Sequence, residues 1–315
     1  MRAKTLLLST AIFGIALAFL FTFARGPGAE PVARILTLGV LAVAPLALLA
    51  MPTVGATWDR LLAIAAFALP ACGLSGVVSL WLEPPAGAVW VAPWMGACLL
   101  VASMGAARLF GDRGWSRAET FLSAAACGYL PVGAGWLVMS RLGARPMGFD
   151  SVIVTLTAVH FHFAAVAAPT FASRVVGALE GGARRVAAIS GIVVVASIPV
   201  VAAGFMISPV VSMVGVVGLA GGLLAIAALA AARVRMKSRA ARGLLWIAAI
   251  SVGLSMPLAV FYQWGQVTGV TTIDLEWMIR LHGFANAHGF ATCGLLAWVI
   301  EDRYRTNSEN APSAR

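Results

Sequence analysis

Residues 186–232 read VAAISGIVVVASIPVVAAGFMISPVVSMVGVVGLAGGLLAIAALAAA and contain no charged side chain. An α-helix needs about 20 apolar residues to cross ~30 Å of hydrocarbon, so this stretch is long enough for two crossings. Pro209 lies near its middle, and a proline can begin a helix but does not continue one without a break. The stretch therefore predicts a helical hairpin joined at Ile207-Ser208-Pro209, with one long kinked helix as the alternative.

Apolar runs of similar length fill most of the chain. Of its 315 residues, 61% are hydrophobic and 11% charged, whereas a soluble domain has roughly a quarter charged residues. The predicted spans are residues 5–24, 35–52, 61–82, 88–107, 119–140, 152–172, 186–206, 209–231, 243–264 and 279–300. The predicted fold class is all-α, a polytopic integral membrane bundle of about ten helices over residues 1–300, with a polar, frayed cytoplasmic tail over residues 301–315. We expect the first run to be retained, because it is longer than the core of a cleaved signal.

The distribution of basic residues predicts that both ends of the chain lie in the cytoplasm. With the amino terminus inside, 17 of the 22 Lys and Arg residues fall on the cytoplasmic side, as basic residues that flank spans normally do. These are Arg2, Lys4, Arg60, Arg108, Arg113, Arg117, Arg174, Arg184, Arg185, Arg233, Arg235, Lys237, Arg239, Arg242, Arg303, Arg305 and Arg315. The outer segments hold Arg25, Arg34, Arg141, Arg145 and Arg280.

A net charge of +10 would suggest nucleic acid as the partner of a soluble protein. Here the basic residues lie in short loops and are not interleaved with aromatic residues, so we expect no nucleic-acid binding. The sequence predicts a multi-pass membrane protein, whose first partner is the lipid bilayer. It does not indicate an oligomeric state.

Two of the predicted spans contain all four histidines. The segments are TLTAVHFHFA (residues 155–164), with His160 and His162, and RLHGFANAHGF (residues 280–290), with His282 and His288. In the predicted topology, His160 and His288 lie roughly 12 to 14 Å below the outer boundary, at 1.5 Å per residue. Ionisable groups at such a depth are costly and usually mark a functional site. The alternative is that each histidine only hydrogen-bonds a neighbouring helix.

Helical phase separates the histidines of each segment. Successive residues of an α-helix are about 100° apart, so His160 and His162 point to nearly opposite sides. In the second segment a polar stripe forms at the spacing i, i+4, i+7 and i+11, and consists of His282, Asn286, Gly289 and Cys293. The glycine of this stripe would let another helix approach closely.

The spacing of the histidines is compatible with acid–base chemistry and less so with a metal. A helix that chelates one ion with two histidines normally spaces them by three or four residues, and neither pair here has that spacing. We therefore predict no cofactor, with haem or a metal held through His160, His162 and His282 as the alternative. The four cysteines lie inside apolar runs, and we expect them to be packing residues.

Outer-side polar residues complete the predicted site. Carboxylates that could act with the imidazoles are Glu83, Asp150, Asp274 and Glu276. The predicted substrate pocket is lined by Tyr129, Tyr262, Gln263 and His288. Trp81, Trp90 and Trp94 are expected to belong to the interfacial aromatic belt first, although they would also suit a pocket for a hydrophobic substrate.

The two histidine segments resemble the YndJ-like family of bacterial multispanning membrane proteins, which carry H-F-H-[FY]-A and, later, H-G-x-x-N-A-x-G-F. The resemblance covers residues 150–300, and the first four spans match by hydropathy alone. It implies that the motif positions are His160, His162, His282, Asn286 and Gly289. His288 occupies the variable place before the last Gly-Phe and is a weaker candidate. The resemblance implies no substrate and no cofactor.

The leading prediction is a membrane-embedded enzyme that acts on a lipophilic small molecule by histidine acid–base chemistry. It would be a cyclase or isomerase of an isoprenoid or polyketide-like substrate. The predicted catalytic residues are His160, His162, His282, Asn286, Glu83 and Asp150. The chain has no Gly-rich phosphate loop and no D-D-x-x-D pair, which disfavours nucleotide or diphosphate chemistry. A haem- or metal-binding membrane protein and a transporter are the alternatives.

Overall fold

Ten membrane helices make up the part of the protein that the structure describes. The computed structural model describes residues 2–52, 55–111 and 116–309, and within them ten helices are long and apolar enough to cross a membrane. They are α1 Arg2–Leu20, α2 Pro31–Ala50, α3 Ala56–Trp81, α4 Ala86–Phe110, α5 Ala118–Arg141, α6 Ser151–Ala178, α7 Gly181–Ile207, α8 Pro209–Arg233, α9 Arg239–Thr268 and α10 Leu275–Glu309. The predicted all-α multi-pass membrane fold is confirmed, and no strand occurs in the described ranges.

The orientation of the bundle in the membrane stays a prediction from the basic residues. Of those residues, Arg113 and Arg315 lie outside the described part of the chain. The loops at 21–30, 82–85, 142–150 and 269–274 all lie at the end of the bundle that the sequence assigns to the outside. We call this end the predicted outer end.

Helix α2 is the central helix of the bundle. In its most apolar window 83% of residues are buried, against 28% to 56% in the other nine helices. It contacts α1 and α3 on one side and both histidine-bearing helices, α6 and α10, on the other. The two histidine segments are therefore brought together around a common core helix.

The three helices that form this centre are all irregular. In α2, residues Gly39–Val43 form a π-helical turn ahead of Pro45, which lacks the N–H that the carbonyl four residues earlier would use. In α6 the helix is interrupted at 164–166, ahead of Pro169 in the same way. In α10 almost the whole stretch from Met278 to Thr292 is π-helical. Single π turns are already rare and often occur at functional sites, so this irregularity singles out the centre of the bundle.

Helices α7 and α8 form the predicted hairpin rather than one kinked helix. Ser208 breaks the helix, and its hydroxyl accepts the backbone N–H of Val211 at 3.3 Å, which caps the start of α8. The two helices approach so closely that a Cβ added at Gly215 would lie 2.6 Å from the backbone nitrogen of Val201. Small residues at such contacts are typical of helix packing in membranes.

The end of the chain differs from the frayed tail expected at 301–315. Helix α10 continues through Glu309, and residues 310–315 lie outside the described part. Glu301 is 1% exposed, and its carboxylate accepts the backbone N–H groups of Lys237 and Ser238 at 3.0 Å each. A salt bridge to Arg305 at 2.8 Å completes this contact. Residues 301–309 are therefore helical, and the first carboxylate of this segment joins α10 to the loop before α9.

The cysteines behave as expected from their apolar surroundings. Cys72, Cys98, Cys127 and Cys293 are free thiols, and two of them are fully buried. Burial of Cys98 and Cys127 among apolar side chains supports the expected packing role for these two, which for Cys72 and Cys293 stays a prediction.

Candidate functional site

His162 is a buried histidine with both ring nitrogens bonded. Its side chain is 1% exposed, and Nδ1 lies 2.8 Å from the carbonyl oxygen of Ala158. A carbonyl oxygen can only accept, so Nδ1 carries the proton and Nε2 is an acceptor. Nε2 receives the indole N–H of Trp94 at 3.2 Å. His162 thus holds α6 against α4 as a neutral ring, with neither nitrogen left for a substrate.

The surroundings of His162 explain why this position holds a ring. A Cβ added at Gly133 would lie 2.9 Å from Nδ1 of His162, and one added at Gly39 would lie 3.0 Å from its Cβ. Glycines on α5 and α2 therefore make the space that the imidazole fills. Trp94 is 0% exposed and stacks on His162 with ring centroids 5.9 Å apart. The assignment of Trp94 to an interfacial belt was wrong, because its polar partner lies at the centre of the bundle.

His160 points away from His162, as the 100° spacing predicts. Its Nδ1 donates to the carbonyl oxygen of Leu156 at 2.8 Å, and Nε2 makes no hydrogen bond to any described residue. His160 is exposed at the surface of the bundle. This combination differs from that of His162 and leaves one nitrogen of His160 free to meet a ligand.

His282 is also held through Nδ1, but its partner lies on a neighbouring helix. Its Nδ1 donates to the carbonyl oxygen of Ser255 on α9 at 2.9 Å. The amide of Asn286 donates to the backbone oxygen of His282 at 2.8 Å, so Asn286 stabilises the irregular turn that carries the ring. Among the residues that the structure describes, none bonds to Nε2 of His282.

The rings of His160 and His282 come within electrostatic range of one another. His160 lies in the segment Ser151–Phe163 of α6, which contacts Ala285–Thr292 of α10. His282 lies in the π-helical turn Met278–Gly283 just before that segment. Each ring has its Nδ1–H bound to a backbone carbonyl, which fixes the tautomer and directs the other nitrogen. The structure therefore brings together two imidazoles, each with an unbonded Nε2.

The approach of α10 to α9 depends on the motif glycine. A Cβ added at Gly289 would lie 2.7 Å from the Cβ of Ser251, so any larger residue would push the two helices apart. Ser251 and Ser255 lie one turn apart on α9, and they face Gly289 and His282 respectively. The polar stripe predicted for α10 thus faces α9 at these two positions.

Arg34 is a site residue that sequence reasoning did not select. It lies in the first turn of α2 and acts electrostatically on His288 of α10. Its neighbour Ile35 contacts the motif directly, since a Cβ added at Gly283 would lie 3.3 Å from the Ile35 side chain. The signal available in the sequence was a lone arginine at the start of a span on the side where basic residues are rare.

His288 itself is half-buried and stacks on Phe284, with ring centroids 3.9 Å apart. Its Nδ1 donates to the carbonyl oxygen of Phe284 at 3.2 Å. His288 therefore borders the site from the side of Arg34 rather than from the side of His160.

The carboxylates predicted to assist the histidines lie elsewhere. Glu83 is exposed and acts on Arg141, and Asp150 is exposed at the start of α6, where its side chain caps nothing. Asp274 accepts the backbone N–H of Trp277 at 2.8 Å, and Glu276 pairs with Arg280 at 2.7 Å. In the described ranges no carboxylate hydrogen-bonds or pairs with a histidine. The charged groups that act on the histidine rings are basic.

The residues predicted to line a pocket are engaged in packing between helices. The hydroxyl of Tyr129 donates to the carbonyl oxygen of Val195 at 3.0 Å. The amide of Gln263 is buried and donates to the carbonyl oxygen of Pro209 at 3.0 Å, which joins α9 to the start of α8. Tyr262 is half-buried. Within the described part of the chain, none of the three is hydrogen-bonded to a histidine.

The residues present do not assemble a metal site. Over the described ranges, no three His, Cys, Asp or Glu side chains come close enough together to hold an ion. His162 could ligate a metal only by giving up its bond from Trp94. A metal held through His160, His162 and His282 therefore finds no support in this geometry.

Comparison with known proteins extends the resemblance seen in the two motifs. A family described as YndJ-like protein matches residues 34–290, which adds most of the first half of the chain to the motif-bearing region. The protein named "Uncharacterized membrane protein YndJ" of Bacillus subtilis (strain 168) is 23% identical over 174 residues. This match covers 55% of the present chain and 32% of the relative, so the chain spans well under two thirds of the length of that protein. No solved structure matches the chain.

Proposed function

The chain belongs to the YndJ-like protein family, and from this premise we propose that it is a membrane-embedded enzyme that isomerises or cyclises a lipophilic small molecule. The reaction uses His160 and His282 as the acid–base pair. His162 is a positioning residue that holds α6 in place, and Asn286 stabilises the turn of α10 that carries His282.

One observation carries the proposal. Two imidazoles from distant parts of the sequence lie within electrostatic range of each other, each with Nδ1–H bound to a carbonyl and Nε2 unbonded to the described residues. His162, which holds α6 against α4, differs from them because both of its nitrogens are bonded, to Ala158 and Trp94. The contrast within one bundle supports a chemical role for His160 and His282.

Such a pair can move a proton through a substrate without a cofactor. One ring in its protonated form donates the Nε2 proton to an alkene carbon or an epoxide oxygen, which forms a carbocation or opens the epoxide. The other, neutral ring removes a proton from a neighbouring carbon of that intermediate. The proton gained by one ring equals the proton lost by the other, so substrate and product have the same elemental composition. Transfer between the two rings resets the pair.

The location of the pair limits the substrate to a lipophilic molecule. Both rings belong to apolar membrane helices, and a water-soluble substrate would have to leave its hydration shell to reach them. Accessibility of His160 supports entry of a molecule from the bilayer or from the predicted outer end. The described part of the chain has no charged residue in the middle of a span that would mark an ion path, so a transporter is a weaker candidate.

The first test is a comparison of lipid extracts from the organism with the gene intact, deleted and restored. Deletion should cause one lipophilic compound to accumulate while another of the same mass disappears. General acid–base catalysis contributes roughly 10²- to 10⁴-fold in rate, so the ratio of the two compounds should change by at least about 100-fold. Liquid chromatography with mass spectrometry resolves such an equal-mass pair.

Two results would contradict this function. Extracts in which no equal-mass pair changes would remove the basis for an isomerase or cyclase. A Soret band or stoichiometric metal in the purified protein would favour the haem or metal alternative instead.

A further inference from the structure

The guanidinium group of Arg34 is an unpaired cation within electrostatic range of His288. Its Nε is buried without a hydrogen-bond partner, and Arg34 forms no ion pair with any described acid, Glu30 one turn earlier included. A buried donor without a partner is costly, by roughly 1–3 kcal/mol, and such groups in a folded protein call for an explanation. The outer nitrogens of the guanidinium are not enclosed in the same way as Nε, so the charged end remains reachable for a ligand.

The groups that surround Arg34 make the region basic. Helix α2 contacts the turn Met278–Gly283 and the first half of α6, and Arg34 acts electrostatically on His288. The acids at this end of the bundle are already engaged or exposed in loops: Glu276 pairs with Arg280 at 2.7 Å, and Asp274 caps α10. Glu30, one turn before Arg34, is exposed and forms no ion pair with it, so an anion that entered here would meet an unpaired guanidinium group.

We propose that Arg34, with His288 beside it, binds the acidic headgroup of an amphiphilic substrate, a carboxylate or a phosphate. Arg34 lies in the first turn of α2, nearer the predicted outer end than His160, which lies in the third turn of α6. A headgroup held at Arg34 leaves the hydrocarbon part of the molecule to extend toward the paired imidazoles. The arginine fork suits two-oxygen acceptors of this kind. This inference names the substrate class of the proposed enzyme and rests on that function for its chemical meaning.

Binding of simple amphiphiles to the purified full chain in neutral detergent tests the proposal. The probes are decanoate, decyl phosphate, decanol and inorganic phosphate, and the readout is the change in tryptophan fluorescence. Decanoate or decyl phosphate should bind at least about tenfold more tightly than decanol, since hydrogen bonds to charged groups contribute that much or more. Arg34→Gln should reduce this preference to within about twofold, and Arg34→Lys should keep part of it because the charge remains.

Arg25→Gln is the matched control, because Arg25 is exposed in the adjacent loop at the same end and its loss changes the net charge equally. It should leave the preference intact. The proposal would be overturned if the unmodified chain showed no preference for the charged amphiphiles, a result that does not depend on the folding of any variant. It would also be overturned if Arg25→Gln lost the preference as fully as Arg34→Gln. Inorganic phosphate bound as tightly as decyl phosphate would also overturn it, since the site would then be for a soluble anion.

A further variant separates this inference from the proposed function. His282→Ala should keep the headgroup preference, because it does not change Arg34. If the chain binds the charged amphiphiles but catalyses no reaction, the proposed enzymatic function is contradicted and the anion-binding site is supported. Lost preference in Arg34→Gln together with unchanged turnover would show that the headgroup site does not serve the reaction.

Discussion

Replacement of His282 by alanine is expected to lower turnover of the equal-mass pair by about 10²- to 10⁴-fold, the usual contribution of a general acid or base. Nε2 of His282 is bonded to none of the described residues, and its Nδ1–H is fixed by the carbonyl oxygen of Ser255. His160→Ala should have an effect of similar size. The double variant should lose little more than either single one, because residues that act as a unit are not additive.

Added imidazole should restore part of the lost turnover, since alanine leaves a space of that shape. Tyr304→Ala is a suitable control, because Tyr304 is exposed near the other end of the same helix and should leave turnover within about twofold of the unmodified chain, as surface changes away from a site usually do. Turnover that survives in both histidine variants, in protein that inserts normally, would contradict the acid–base assignment.

Replacement of His162 by alanine is expected to have its largest effect on stability instead of chemistry. The variant would leave a cavity among α2, α4, α5 and α6 and remove the acceptor of the Trp94 N–H. Together these terms should lower the free energy of unfolding by about 2–4 kcal/mol. Unfolding by SDS titration in mixed micelles measures this change.

Two variants make the His162 measurement specific. His162→Phe keeps a ring against Trp94 but removes the acceptor, so it should cost about 0.5–1.7 kcal/mol, the range for hydrogen bonds between membrane helices. His160→Ala breaks only a bond within its own helix and should cost less than about 1 kcal/mol. Equal losses for the two alanine variants would mean that His162 and His160 do not differ in role.

The membrane fold was accessible from the sequence because hydropathy and charge act locally. Span length is fixed by the bilayer, and Pro209 alone was enough to locate the sharp hairpin between α7 and α8. The opposite directions of His160 and His162 also followed, since α6 is a regular helix up to Phe163.

Other features depend on contacts that no local pattern contains. The π-helical stretch in α10 is a shift of backbone hydrogen bonds, and a phase computed at 100° per residue does not foresee it. The role of Trp94 depends on a partner 68 positions away. Arg34 lies just before the span predicted at 35–52, and its place among the central helices follows only from the position of α2 in the bundle. Glu301 looked like the start of a tail because its partners are backbone groups of another loop.

The central claim is that α6 and α10 bring His160 and His282 close to one another. It can be measured directly in chains whose four native cysteines are replaced by alanine and which carry His160→Cys with His282→Cys. A short bifunctional thiol reagent should join the two positions in most molecules, as seen by mass spectrometry of linked peptides. The pair Thr155→Cys with His282→Cys should give only background, because Thr155 faces Ser140 on α5 at 2.7 Å. Equal linking of both pairs, or none at position 160, would contradict the account.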